Sequence, residues 1–263
     1  MAIHVSALER YEAGSSLIHK ADARVKLPVT VAYIFAVTLT PVGHWAALAL
    51  MAAPLPVAIL LGRLSPLLVL RRSALALPFI LAAVPLMFTK EGETLFTLPP
   101  FGWDASREGL VAVSTILTKS WLSVTAAVVL TATTSAVDLV RALRSLAVPR
   151  ILVATVSFMY RYIFVIAEEA LRLMRARDSR SANVEGRKSG GTAWWRAGII
   201  GSMAGSLFLR SYERSERVYA AMQARGYDGE PRFLWNPPWR AAEITLGVFV
   251  ALYAAGIQVY AHY

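Results

Sequence analysis

The run from Leu27 to Gly62 contains no Asp, Glu, Lys or Arg. A helix crossing a bilayer core of roughly 30 Å needs about 20 apolar residues. The stretch is too long for one crossing and right for two, with Pro41, Gly43 and His44 near its middle, where a tight turn belongs. Ser73–Thr89 and Ile244–Tyr263 are also free of charge, and Gly109–Val137 holds only Lys119. These runs read as spans over about 27–43, 45–62, 73–89 and 109–132, with a fifth over about 242–261. Hydrophobic residues make up 56% of the chain and charged residues 17%, against about 45–50% and about 25% in soluble domains. A soluble protein of this size would lack the polar surface to cover so many apolar helices. The expected fold is an all-α polytopic membrane protein, with about five transmembrane helices and a cytoplasmic region of long helices.

Loop charge sets the expected orientation. The loop after the second span carries Arg63, Arg71 and Arg72 and no acid. The loop from Thr89 to Glu108 carries two basic residues, Lys90 and Arg107, against four acidic ones, Glu91, Glu93, Asp104 and Glu108. Its Pro99, Pro100, Phe101 and Trp103 suit an outer interface. Arg141, Arg144 and Arg150 then face a single acid, Asp138. The alternation places the N-terminus in the cytoplasm and, after the fifth span, the C-terminus outside, as in a multi-pass protein of the bacterial inner membrane. Trp235, Trp239 and Arg240 form an interfacial belt before that last span. Residues 1–25 mix acids with bases, so no cleavable signal peptide is expected.

The chain therefore divides into 1–134, an N-terminal segment with four spans; 135–240, a cytoplasmic helical region; and 241–263, the last span. In the middle part, residues 138–146 read as a short amphipathic helix stopped by Pro149. Ile151–Met174 runs from apolar to charged, and Arg161 with Glu168-Glu169 makes it a protein-facing helix in preference to a span. Residues 182–191 read as an exposed loop, and Trp194–Arg225 as a second long helix. On this helix Gly198, Gly201 and Gly205 make one small-residue face, which suits close approach of another helix.

The two long helices are expected to end alike. One reads Glu168 and then Met174-Arg175-Ala176-Arg177; the other reads Glu216 and then Met222-Gln223-Ala224-Arg225-Gly226. Two copies of one helix-end motif imply two copies of one binding site in a partner. An arginine at a helix C-terminus offsets the unpaired carbonyls and can pair with a carboxylate through its fork of donors. Alanine before it keeps the tip narrow, and Gly226 can adopt the left-handed conformation that ends a helix. Ala176, Arg177, Ala224, Arg225 and Gly226 are the candidate docking residues.

These motifs resemble the two Ala-Arg-Gly signatures of the transmembrane T components of energy-coupling factor transporters. His19-Lys20-Ala21-Asp22-Ala23-Arg24-Val25-Lys26-Leu27 resembles that family's H-x-L-D-P-R-x-K-L segment, with Ala21 and Ala23 replacing its Leu and Pro. Leu146-Ala147-Val148-Pro149-Arg150 resembles its Leu-Gly-Val-Pro turn. Pro85-Leu86-Met87-Phe88-Thr89, with Glu108-Gly109-Leu110, is similar to the cobalt-type CbiQ branch. Asp178 departs from the glycine of the first signature. The resemblance implies a membrane scaffold joining a substrate-capturing membrane subunit to two ATP-binding-cassette ATPases. Arg177 and Arg225 would each enter a groove of one ATPase. In the cobalt branch the cargo is Co²⁺ for cobalamin synthesis, and the partners are CbiO-like ATPases, a CbiM-like capture subunit and a small CbiN-like protein. ATP would be bound by those partners, with no cofactor on this chain. A T component for nickel or a vitamin would use the same scaffold.

Other classes fit less well. Gly186-Arg187-Lys188-Ser189 lacks the upstream glycine and strand of a P-loop. The four histidines, His4, His19, His44 and His262, are scattered, and the chain has no cysteine. A polytopic membrane enzyme would place convergent ionisable groups inside its spans, and the first four offer only Lys119. Glu168-Glu169 followed by Arg172 differs in spacing from the Glu-Glu-x3-Arg of membrane proteases. From Glu168 to Arg240, 13 basic residues interleave with 8 acidic ones. That pattern favours protein contacts beside membrane lipid and argues against nucleic acid. The chain is read as a non-catalytic transport subunit.

Overall fold

A computed structural model describes Gly14, residues 16–74, Pro78, and residues 82–89, 93–98, 103–146, 148–180, 192–229 and 240–262. The N-terminal residues through 13, the middle of the third expected span, Pro99–Phe101, the 182–191 loop, Trp235, Trp239 and Tyr263 lie outside the described residues. The chain forms two compact units, one from residues 1–146 with 235–263, the other from 147–234.

The first unit is a helical bundle. A single turn, α1 (Leu17–Lys20), leads into α2 (Ala23–Leu39). α2 begins four residues before the expected first span because Asp22 caps it, its carboxylate accepting from Arg24 N–H at 2.9 Å. The expected turn is present, and Gly43 takes a φ of +86° there, a conformation glycine adopts without strain. The second expected span is broken into α3 (Trp45–Ala52) and α4 (Pro54–Leu61). Pro54 has no N–H to continue the helical ladder, so the break falls at Ala53. α5 (Pro66–Ala74) and α6 (Leu86–Thr89) flank the undescribed part of the third span.

The acidic loop contains an antiparallel hairpin, β1 (Thr94–Leu98) and β2 (Trp103–Ser106), in register Thr97 to Asp104. The sequence reading did not anticipate it. Ser106 then caps α7 (Arg107–Thr133) by accepting from Gly109 N–H at 3.0 Å. α8 (Ala136–Ser145) follows, capped by Ser135, and α11 (Ala241–His262) ends the bundle. α7 and α11 match the fourth and fifth expected spans to within about two residues at each end.

The bundle core joins Tyr33 and Val37 of α2, Ala47 and Met51 of α3, Leu122 and Ala126 of α7, and Ala254 and Ile257 of α11. Small residues let these helices approach closely. A Cβ on Gly247 of α11 would stand 2.6 Å from Val25 Cγ1, so only glycine fits against α2 there. Polar groups close on backbone carbonyls. Tyr33 donates to Met51 O at 2.7 Å, and Tyr253 to Leu50 O at 2.9 Å. Lys119, the one ionisable residue of the expected N-terminal spans, donates from Nζ to Thr38 O at 3.1 Å and also to Thr40 O. It satisfies carbonyls that the end of α2 leaves open.

The second unit is a pair of long helices, α9 (Arg150–Arg180) and α10 (Ala193–Ala224). By length and apolarity, α7, α9 and α11 are the described helices able to cross a bilayer. The architecture is that of an all-α polytopic membrane protein carrying one small hairpin.

Candidate functional site

α9 and α10 run antiparallel where they touch. Phe158 of α9 meets Tyr227, just beyond the end of α10, in an edge-on ring contact with centroids 6.2 Å apart. Further along, Glu169 of α9 accepts from Arg210 of α10 at 3.0 Å. As residue numbers rise on one helix they fall on the other. Glu169 is largely sheltered, with its side chain 16% exposed, and Arg172 approaches its other oxygen at 3.5 Å. This carboxylate bound between two guanidiniums is the main polar tie between the helices. The sequence reading did not foresee it, because the partners lie 41 residues apart on different helices.

The two arginine motifs sit at opposite ends of this pair. Arg225 lies two residues before Tyr227 and so close to Phe158. Arg177 lies 19 residues beyond Phe158, about 28 Å of helix. The ends differ in form. α10 stops at Ala224, and Gly226 takes a φ of +78°. Gly226 N–H donates to Gln223 O at 2.9 Å and Tyr227 N–H to Met222 O at 3.0 Å. These two bonds close a Schellman cap, which satisfies the last carbonyls and turns the chain away. Arg225 is exposed, and among the described residues its guanidinium makes no hydrogen bond or ion pair.

The arginine of the first motif lies within the last turn of α9, whereas Arg225 follows the last residue of α10, so the two endings are not the matching pair expected. α9 continues through Arg177, Asp178 and Ser179 to Arg180. The physical reason is the residue after the arginine: Asp178 remains helical where Gly226 reverses the backbone. Asp178 also engages Arg177 directly. Its Oδ1 accepts from Nη2 at 2.7 Å and from Nε at 3.1 Å. Ala176 and Ala224 are both exposed, so no bulky side chain crowds either arginine from the preceding position.

Gly198, Gly201 and Gly205 lie on α10 with no described atom within 4 Å of where a Cβ would stand. The N-terminal half of α10 is exposed along its length, with Trp194 at 88% and Phe208 at 68%. In the described residues, close helix approach through glycine occurs in the bundle, at Gly247 against Val25 and at Gly109 against the backbone of Met87.

The N-terminal motif has a structural task. Asp22 caps α2, and its own N–H donates to Glu243 Oε2 of α11 at 2.9 Å. Lys26 Nζ donates to Ile18 O and Thr133 O, both at 3.1 Å, which ties α1 and the end of α7 to α2. Asp138 accepts from Ser135 Oγ at 2.7 Å and pairs with Arg141 at 3.1 Å. The segment His19–Lys26 is thus the knot that fastens one end of the bundle. Groups of three or more His, Asp or Glu side chains placed to hold a metal are absent among the described residues.

Comparison with known proteins identifies the family. The CbiQ family model, described as a cobalt transport protein, matches residues 14–235. The chain is 30% identical to an energy-coupling factor transporter transmembrane protein EcfT of Bacillus selenitireducens, over 95% of this chain and 94% of that one. It is 28% identical to the cobalt transport protein CbiQ of Rhodobacter capsulatus, over 66% of this chain and 69% of that one. A fused cobalt transport protein CbiMQ of Methanocorpusculum labreanum is 28% identical over 65% of this chain and 28% of its own length. A family match that takes in the N-terminal knot, the bundle through α8 and both arginine-bearing helices makes this chain a member of the CbiQ/EcfT family, the transmembrane T components of energy-coupling factor transporters.

Proposed function

We propose that this chain is the scaffold subunit of a cobalt-uptake transporter, carrying motion from two ATPase subunits to a membrane subunit that captures the ion. The observation that supports it most is the antiparallel α9–α10 pair, which carries Arg177 and Arg225 at its opposite ends. Two ATPases gripping those points would shift the ends when ATP draws them together and hydrolysis releases them. The Glu169–Arg210 tie and the Phe158–Tyr227 contact would pass that shift along the helices as one body. The glycine face of α10, open among the described residues, would receive a helix of the capture subunit. The CbiQ family match and the fused CbiMQ relative support cobalt and a CbiM-like partner, with CbiO-like ATPases and a CbiN-like protein completing the complex. ATP binding and hydrolysis belong to the ATPases, and this subunit is not an enzyme. Loop charge supports an N-terminus in the cytoplasm and Tyr263 outside.

An arginine docked in a partner's groove pairs with a carboxylate there, and breaking such a buried pair costs about 3–5 kcal/mol. The Arg177→Glu/Arg225→Glu double variant should lose its ATPases on co-purification and stop radiolabelled Co²⁺ uptake. Normal uptake by that variant rules out docking through these residues. A second reading, a T component shared among vitamin-capturing subunits, is favoured by the EcfT relative. Mass spectrometry of the purified complex separates the two, since a CbiM-like subunit accompanies only the first.

A further inference from the structure

A cleft of about 490 Å³ opens between α9 and α10 and reaches Met222 of the second arginine motif, with neither Arg177 nor Arg225 in its lining. Its walls are Phe158, Tyr162 and Ile166 of α9 and Val218, Tyr219 and Met222 of α10. One charged residue in this wall is uncompensated. Arg210 is held by Glu169, but Arg214, half-buried and one turn away, makes no hydrogen bond or ion pair among the described residues. The hydroxyls of Tyr162 and Tyr219 likewise find no partner among those residues. An apolar trough with a few converging donors is the form of a small-molecule site, and the donors here suit an anion.

The polarity of the cleft runs along α9. Toward Phe158 the helix is apolar and outwardly lipid-compatible, with Ile151 exposed at 72% and Met159 at 62%. From Glu168 onward it is charged. Arg214 stands toward the charged end, between Arg210, which pairs with Glu169, and Val218. A bound amphiphile would therefore lay its tail toward Phe158 and Met222 and its head on Arg214. We propose that the cleft holds one acidic phospholipid, its acyl chain between α9 and α10 and its phosphate on the guanidinium of Arg214. Basic pockets between helices of membrane proteins take such headgroups, and the guanidinium fork matches phosphate oxygens.

The test uses the full chain with its co-purifying partners, stripped of lipid and re-exposed to phosphatidylglycerol or phosphatidylcholine of the same acyl length. Native mass spectrometry should find one phosphatidylglycerol retained and phosphatidylcholine washed out. Arg214→Gln, which breaks no internal pair, should lower phosphatidylglycerol occupancy about tenfold. Arg217→Gln, which breaks the exposed pair with Glu213 outside the cleft, should leave occupancy unchanged. Val218→Trp, which fills the trough, should abolish retention, with an unchanged melting temperature showing that the fold survives. Equal retention of both lipids overturns the proposal. So does full occupancy in Arg214→Gln, or a photo-crosslinker at Ile166 that captures a partner helix in place of lipid.

Discussion

Tyr227 stands edge-on to Phe158, with ring planes at 75°. The contact ties the residue just past the α10 cap to the apolar half of α9. It fixes where the chain leaves α10, and so where Arg225 sits relative to the other helix. It also depends on a single backbone conformation one residue earlier.

Gly226→Ala tests that dependence. An alanine at a φ of +78° carries strain, which costs about 1 kcal/mol. The melting temperature should fall by a few degrees. ATPase retention should weaken through the Arg225 site and stay unchanged through Arg177. Pull-downs in an Arg177→Glu or an Arg225→Glu background, followed by immunoblot, separate the two contributions.

Asp178→Ala has the opposite expected sign. The Arg177–Asp178 pair is partly exposed, with side chains 40% and 62% accessible, and such pairs contribute about 0–1 kcal/mol. Its removal should leave stability nearly unchanged and take away one acid that competes with a partner carboxylate for Arg177. ATPase affinity measured by surface plasmon resonance should hold or rise by up to about fivefold. A loss of more than tenfold shows that Asp178 itself contacts the ATPase.

Lys119→Met should destabilise the bundle by about 1–3 kcal/mol, because it removes the donor to the Thr38 and Thr40 carbonyls at the end of α2. Lys119→Arg, which keeps several donors, should recover most of the loss. Thermal unfolding in detergent reads both. Transport by the stable fraction should be normal, since the lysine acts within the chain.

Gly247→Val and Gly201→Val should separate two kinds of small-residue face. The first drives a methyl toward Val25 and Val29, an overpacking cost of about 1–3 kcal/mol. It should lower the melting temperature of the isolated chain. The second meets open space and should leave that temperature nearly unchanged while reducing recovery of the capture subunit.

Much of the fold was legible because bilayer-length apolar runs leave few alternatives. α7 and α11 follow directly from Gly109–Val137 and Ile244–Tyr263. What escaped has local causes. Asp22 drew the start of α2 back past Arg24 and Lys26, and Pro54 split a run that looked continuous. The β1–β2 hairpin arises from a short acidic loop without strong alternation. At the site, the arginine motifs were readable as a repeat, but their unequal endings turn on Asp178 against Gly226. The Glu169–Arg210 tie joins residues that no helical spacing relates. Gly247 was hidden inside a uniformly apolar span, whereas the Gly198, Gly201 and Gly205 pattern stood out by its period.

The capped tip at Arg225 and the Asp178-paired guanidinium of Arg177 would leave the two proposed ATPase mounts non-equivalent. Even an ATPase homodimer, built on a two-fold axis, would lose its symmetry on this seat, one half meeting a freely projecting guanidinium and the other a guanidinium that must first give up an acid. The two nucleotide sites would then differ in how readily each moves the scaffold, and one half could consistently lead the stroke.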